Sequence, residues 1–196
     1  MKRARTLLWA LVAVAIVAVA ALFWTGRSNQ PIQTTPSVAS NFGGAFTLIG
    51  GDGKRFSSQA LEGKPYAIYF GFTRCGDVCP TTLSRLVKLR REAANEQALN
   101  IVFVTIDPAH DGPKEVGQYA ELFGGPIIGL TGSQAEIDQV KKQYGIFAQP
   151  MPHAAMGKEM EHTATVLLFD RAGKFVTTIA PDEPDASAVK KMKTLV

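Results

Sequence analysis

The 196-residue chain carries 21 Lys and Arg against 17 Asp and Glu, a net charge of +4. The surplus is confined to the N-terminus: Lys2, Arg3, Arg5 and Arg27 fall in a stretch without acidic residues, and the two signs balance thereafter. Such a distribution is a topological signal rather than a basic surface, so no nucleic-acid partner is expected.

From Leu7 to Trp24 the chain is uncharged and almost wholly apolar. As a helix this run spans roughly 27 Å, close to the ~30 Å hydrocarbon core of a bilayer. The basic flank stays in the cytoplasm, which sends the remainder outward. Residues 1–25 are therefore expected to form a single-pass inner-membrane anchor, with the rest in the periplasm or an equivalent exported compartment. A cleaved signal peptide is the competing reading. Ala18-Val19-Ala20 fits a cleavage pattern, but the apolar run continues past it through Trp24. Residues 26–41, with Ser28, Asn29, Pro31, Thr34, Thr35 and Pro36, read as a flexible tether. Residues 42–196 have the length of one domain with one core.

Within that domain, Phe46 to Ile49 and Lys54 to Phe56 flank Gly50-Gly51-Asp52-Gly53, a hairpin signal. Tyr66 to Phe72 is a short apolar run suited to a strand buried on both faces. A helix is expected over Thr81 to Leu99, with Pro80 in its first turn, followed by a second buried strand from Ile101 to Ile106. Pro113 to Phe123 reads as helix and Ile127 to Leu130 as strand. Ser133 to Tyr144 reads as helix, with Ser133 and Glu136 as a capping box. An irregular stretch, Gly145 to Glu161, holds Pro150 and Pro152. A strand from His162 or Thr163 to Phe169 and another from Lys174 to Ile179 form a hairpin, and a helix begins near Asp185. The alternation predicts an α/β domain with a mixed central sheet and helices on both faces, an arrangement that resembles the thioredoxin-like fold.

The chain's two cysteines, Cys75 and Cys79, sit at the end of the first buried strand, just before a helix. At i and i+4 of a helical turn two thiols share a face, with Cα atoms roughly 6 Å apart, inside the disulfide range of about 4.4–6.8 Å. The pair can therefore close as a redox-active disulfide or open to grip a soft metal. A nearby helix N-terminus lowers thiol pKa and favours both. A purely structural disulfide is the plainer alternative, although a bridge closing so small a loop constrains the unfolded chain little. Cys75, further from the helix body, is expected to be the exposed thiol.

Metal ligation usually wants a third group, and the histidines are His110, His153 and His162. His162, at a loop-to-strand junction, can reach the cysteine end of such a sheet. Two thiolates and an imidazole suit copper, thiolates holding Cu(I) and the nitrogen accommodating Cu(II). A strand-end histidine bonded to backbone is the ordinary alternative.

The sequence Gly71-Phe72-Thr73-Arg74-Cys75-Gly76-Asp77-Val78-Cys79-Pro80, then Val104-Thr105-Ile106-Asp107-Pro108, then Glu161-His162-Thr163, resembles the Sco/SenC family of copper-site assembly proteins. The resemblance runs from Phe42 onward and includes the anchored topology. It implies Cys75, Cys79 and His162 as ligands for Cu(I) and Cu(II). It also implies a metallochaperone role: copper taken from a donor protein and delivered to the binuclear copper site of cytochrome c oxidase, or that site's cysteines reduced. Asp107 matches the family's acidic residue near the site, which implies docking or tuning; a turn-forming Asp before Pro108 is the local alternative. Asp77 reads as a first-turn helix residue or an electrostatic tuner. Gly76, His110, Gly112 and Glu161 depart from the family's usual Pro, Arg, Thr and Asp, which bears on the partner-facing surface and leaves the ligands intact.

Met151, His153, Met156 and Met160 cluster before His162. Thioethers are soft ligands, so this stretch reads either as a secondary Cu(I) contact or as adaptable packing. Two functional classes stand against each other: a copper chaperone, and a thiol–disulfide oxidoreductase cycling Cys75–Cys79. The latter needs no imidazole and normally uses a C-x-x-C spacing. A peroxide-reducing enzyme of similar fold fits less well, since it leaves His162 without a role.

Overall fold

The computed structural model describes residues 42–95, 97–151 and 160–196. Its elements run β1 (Thr47–Gly50), β2 (Arg55–Ser57), β3 (Tyr66–Gly71), α1 (Val78–Ala93), β4 (Asn100–Thr105), α2 (Pro113–Glu121), β5 (Ile128–Thr131), α3 (Gln134–Gln143), β6 (Ala148–Pro150), β7 (Met160–His162), β8 (Val166–Phe169), β9 (Phe175–Ile179) and α4 (Asp185–Lys193). Seven strands form one sheet in the order β2-β1-β5-β4-β3-β8-β9. β3 pairs in parallel with β4 and antiparallel with β8, while β5 is parallel to β4 and antiparallel to β1. The sheet is mixed, as expected.

All six residues of β3 are buried, which is why its sequence is continuously apolar instead of alternating. Successive side chains point to opposite faces. A side chain at Gly71 would point toward α1 and run into the Cys79 sulfur, so the glycine leaves that sulfur its room. Phe70, on the other face, packs on Tyr144 at the C-terminal end of α3 with ring centroids 5.7 Å apart. Helices therefore cover both faces, in the thioredoxin-like manner.

The capping box of α3 is present in full: Ser133 accepts from the Glu136 N–H, and Glu136 accepts from the Ser133 N–H. The β1–β2 hairpin turns through Gly53, whose φ of 76° is the left-handed region that glycine enters freely.

Three expectations need correction. The first helix starts at Val78 and ends at Ala93, not Thr81 to Leu99. Asn95 redirects the chain, its side chain and carbonyl accepting from the N–H groups of Gln97 and Ala98. The stretch read as irregular contains β6 and β7, paired antiparallel as a separate two-stranded sheet. Three-residue strands are too short to show a period, and Pro150 is tolerated at an edge. Finally, His162 does not open the strand that runs to Phe169: it ends β7, and β8 begins at Val166. The expected anchor and tether lie outside the described residues. Among the described residues, no helix is long and apolar enough to cross a membrane.

Candidate metal centre

β3 and β4 stay in register to their ends, Gly71 opposite Thr105, so the loops that follow them leave the same edge of the sheet. The C-terminal ends of parallel strands are where α/β sheets build sites. Loop 72–77 carries Cys75, which is partly exposed, and leads into α1, whose first turn carries the fully buried Cys79. Cys75 is fixed by a turn in which its N–H donates to the Phe72 carbonyl at 3.3 Å.

A helix N-terminus leaves N–H groups without intrahelical partners. Asp77 occupies the N-cap position of α1 yet makes no capping bond; its carboxylate meets the Thr81 hydroxyl at 3.5 Å instead. The Cys75 sulfur takes one of the free donors, accepting from the Cys79 N–H at 3.3 Å. The Cys79 thiol is the main influence holding the Cys75 pKa well below the usual thiol range; His162 and the Cys79 and Asp77 backbone add to it against the cost of burial. The same pairing, together with burial, pushes the Cys79 thiol up. One sulfur is thus a ready thiolate and its neighbour a protonated donor to it.

His162 arrives from β7. Its Nδ1 lies 3.2 Å from the Thr163 carbonyl oxygen, which can only accept, so Nδ1 carries the proton. Nε2 then presents a lone pair, and it points at the Cys79 sulfur 3.6 Å away. This is the tautomer and orientation a metal-binding imidazole needs, with its other nitrogen tied to a carbonyl. Phe72 and Tyr69 hold the ring edge-on, with centroids 6.0 and 6.2 Å from it.

The two sulfurs and Nε2 all lie within 4.8 Å of one another. Bonds of ~2.0–2.3 Å to thiolate and imidazole span such a triangle with small side-chain adjustments. The donor set therefore fits a soft or borderline metal ion, and the two sulfurs are equally able to close on each other. The structure brings together the three residues singled out from the sequence.

Asp107 stands apart from that triangle. Its carboxylate accepts from Arg74 at 2.5 Å and meets His110 Nδ1 at 2.9 Å, which ties loop 106–112 to the residue beside Cys75. Met160 packs partly buried against the core and Met151 is exposed, whereas His153 and Met156 lie outside the described residues. Sequence reasoning missed Asp111, a fully buried carboxyl that holds Thr73, and Tyr69, whose ring flanks Cys79 and His162.

A thioredoxin-like sheet with a dithiol at a strand-to-helix junction and an imidazole closing over it defines a class of thiol and metal-handling domains. Within that class the chain belongs to the SCO1/SenC family, whose model matches residues 34–196. Protein sco1 of Schizosaccharomyces pombe is 37% identical over 160 residues, 76% of this chain but only 59% of that protein's length. Among solved structures, Bradyrhizobium japonicum ScoI with copper bound is 33% identical with a TM-score of 0.71, covering 79% of this chain and 99% of that one. Arabidopsis thaliana ScoI with copper bound is 30% identical with a TM-score of 0.73, covering 78% and 96% respectively.

Proposed function

We propose that this chain is a copper-binding assembly protein that holds copper between Cys75, Cys79 and His162 and passes it to the copper site of cytochrome c oxidase. The observation that carries this reading is the imidazole: Nδ1 is fixed by Thr163 and Nε2 is turned onto Cys79 at 3.6 Å. Thiol exchange alone gives that geometry no purpose. The copper-bound relatives support the choice of metal. The two thiolates would hold Cu(I), and the nitrogen adds the harder donor that Cu(II) requires. Copper is cargo here, so the chain's own work is to keep Cys75 deprotonated, shelter Cys79 and orient His162.

The basic, apolar N-terminus supports an anchor over residues 1–25, a tether over 26–41 and an exported domain over 42–196. An oxidising compartment makes reduced cysteines a precondition for loading, so copper binding and thiol redox chemistry are linked. The partly exposed Cys75 thiolate, backed by a second thiol, favours reduction of client cysteines as the second reading.

The test is copper stoichiometry on the reduced full chain beside His162→Ala. One copper per chain is expected, with a sulfur-to-Cu(II) charge-transfer band that the substitution abolishes. Binding indifferent to His162 would leave the oxidoreductase reading. Met151→Leu with Met160→Leu should slow loading from a donor if the thioethers assist entry; unchanged kinetics assign them to packing.

A further inference from the structure

Tyr69 is placed at the heart of the site with its hydroxyl unused. It lies in β3, two residues before Gly71 and on the same face, and it is completely buried. A Cβ at Gly71 would stand 2.9 Å from the Cys79 sulfur and 3.0 Å from Tyr69 Cε1, so ring and sulfur converge on one glycine. The same ring meets the His162 imidazole at an interplanar angle of 68°. The hydroxyl is sealed from solvent and makes no hydrogen bond. The Cys79 thiol and the Thr82 hydroxyl lie beside it, outside bonding geometry.

A buried hydroxyl without a partner is costly, and this one faces a group whose acceptor strength depends on its state. A neutral thiol is a weak acceptor, whereas a thiolate or a metal-bound sulfur is a strong one. The Cys75 sulfur already has a donor in the Cys79 N–H. Tyr69 can supply Cys79 with a donor from inside the sheet. We propose that Tyr69 is a positioning residue for the second sulfur, its O–H held in reserve to donate to Cys79 Sγ when that sulfur holds metal. A small rotation of a ring already packed on the sulfur completes the bond and matches the hydroxyl in the loaded state only.

The inference rests on the three-ligand reading, and the experiment separates the two. Tyr69→Phe removes one oxygen that makes no bond, so the fold should survive. Tyr119→Phe is the matched control, since its hydroxyl is also buried and unpartnered while its ring packs on Phe103 and Phe123. Both variants of the full chain are titrated with Cu(I) against a bathocuproine-type chelator. Tyr69→Phe should retain Cu(I) ~10- to 100-fold less well, the value of one hydrogen bond to a charged group, and should shift the thiolate–Cu(II) band. Tyr119→Phe should match the unaltered protein.

A metal-free readout runs beside it: the Cys75–Cys79 disulfide is equilibrated with dithiothreitol. The reductant supplies two electrons and two protons, the protein S–S bond breaks, and dithiothreitol closes its own. Without metal Cys79 is a neutral thiol and a weak acceptor, so Tyr69→Phe should leave this equilibrium unchanged. If Tyr69→Phe equals the unaltered protein in the copper titration, if it moves the metal-free equilibrium instead, or if Tyr119→Phe loses as much, the proposal is overturned. If the unaltered protein binds no copper, the three-ligand reading itself fails and takes the proposal with it, an outcome distinct from copper binding that is indifferent to Tyr69.

Discussion

Thr73 and Asp111, 38 positions apart, are joined twice: the buried Asp111 carboxyl accepts the Thr73 N–H at 2.9 Å and the Thr73 hydroxyl at 2.5 Å. The same carboxyl accepts from the Thr105 hydroxyl at 2.6 Å, and the Asp111 carbonyl accepts from Thr131 at 2.6 Å. Loop 106–112 therefore holds the cysteine loop two residues before Cys75. Asp111→Ala takes the acceptor from the half-buried Thr73 N–H and hydroxyl and from the buried Thr105 hydroxyl, the last being the costliest to leave unmatched. It should lower unfolding stability by ~2–4 kcal/mol and loosen Cys75. Urea unfolding and the rate of Cys75 alkylation check this. A stability loss without a change at Cys75 would confine Asp111 to the scaffold.

The two thiols should differ sharply toward an alkylating agent. The Cys75 pKa is lowered to about 4, chiefly by the Cys79 thiol, so its thiolate is present at pH 6 and is lost only as pH falls toward 4. Cys79 is buried and shifted upward, so it should stay unlabelled over that range. Iodoacetamide at pH 6, read by peptide mass, should mark Cys75 alone. Cys79→Ala removes the side-chain donor to Cys75, so the Cys75 labelling rate should then climb between pH 6 and 9, toward the behaviour of an ordinary thiol of pKa near ~8.5.

Gly71 is the floor beneath the second sulfur. A Cβ there would sit 2.9 Å from Cys79 Sγ, 3.0 Å from the Tyr69 ring and 3.2 Å from the Phe103 ring. Gly71→Ala should cost ~1–3 kcal/mol through overpacking and push Cys79 out of the triangle. Thermal unfolding and copper stoichiometry together should show both losses.

Arg85 provides the opposite case. From the middle of α1 it donates to Asp185 at 2.8 Å and to the carbonyls of Ala180, Pro181 and Glu183, pinning the segment that leads into α4. Arg85→Ala should destabilise by ~1–3 kcal/mol while leaving Cys75 reactivity and copper stoichiometry unchanged. A change at the cysteines would mean that α4 bears on the site.

Much of this was legible from residues alone. β3 and β4 announce themselves as continuous apolar runs, and α3 as a capping box, because those signals are local. Cys75 and Cys79 were visible as the chain's only thiols, at a strand end. His162 was legible only as a candidate: 83 positions separate it from Cys79 and no period links them, so its position at a loop-to-strand junction suggested it and the family motif raised it above a backbone-bonded histidine. The β6–β7 pairing was hidden by its brevity. Asp111 was hidden because its partners Thr73, Thr105 and Thr131 come from three separate segments that only the folded sheet brings together.

The ligand triangle is divided between two sheets. Both sulfurs follow β3 of the seven-stranded sheet, while His162 rides on the two-stranded β6–β7 pair. The base of that pair is closed by the residues flanking it: the Thr163 N–H donates to the Phe147 carbonyl at 3.0 Å and the Thr163 hydroxyl accepts from the Phe147 N–H at 3.2 Å. Withdrawing the imidazole thus disturbs a surface ribbon, whereas displacing Cys79 disturbs the buried start of α1. A metal held and released as proposed would meet an order of least resistance in this architecture: nitrogen first, the partly exposed sulfur next, the buried sulfur last.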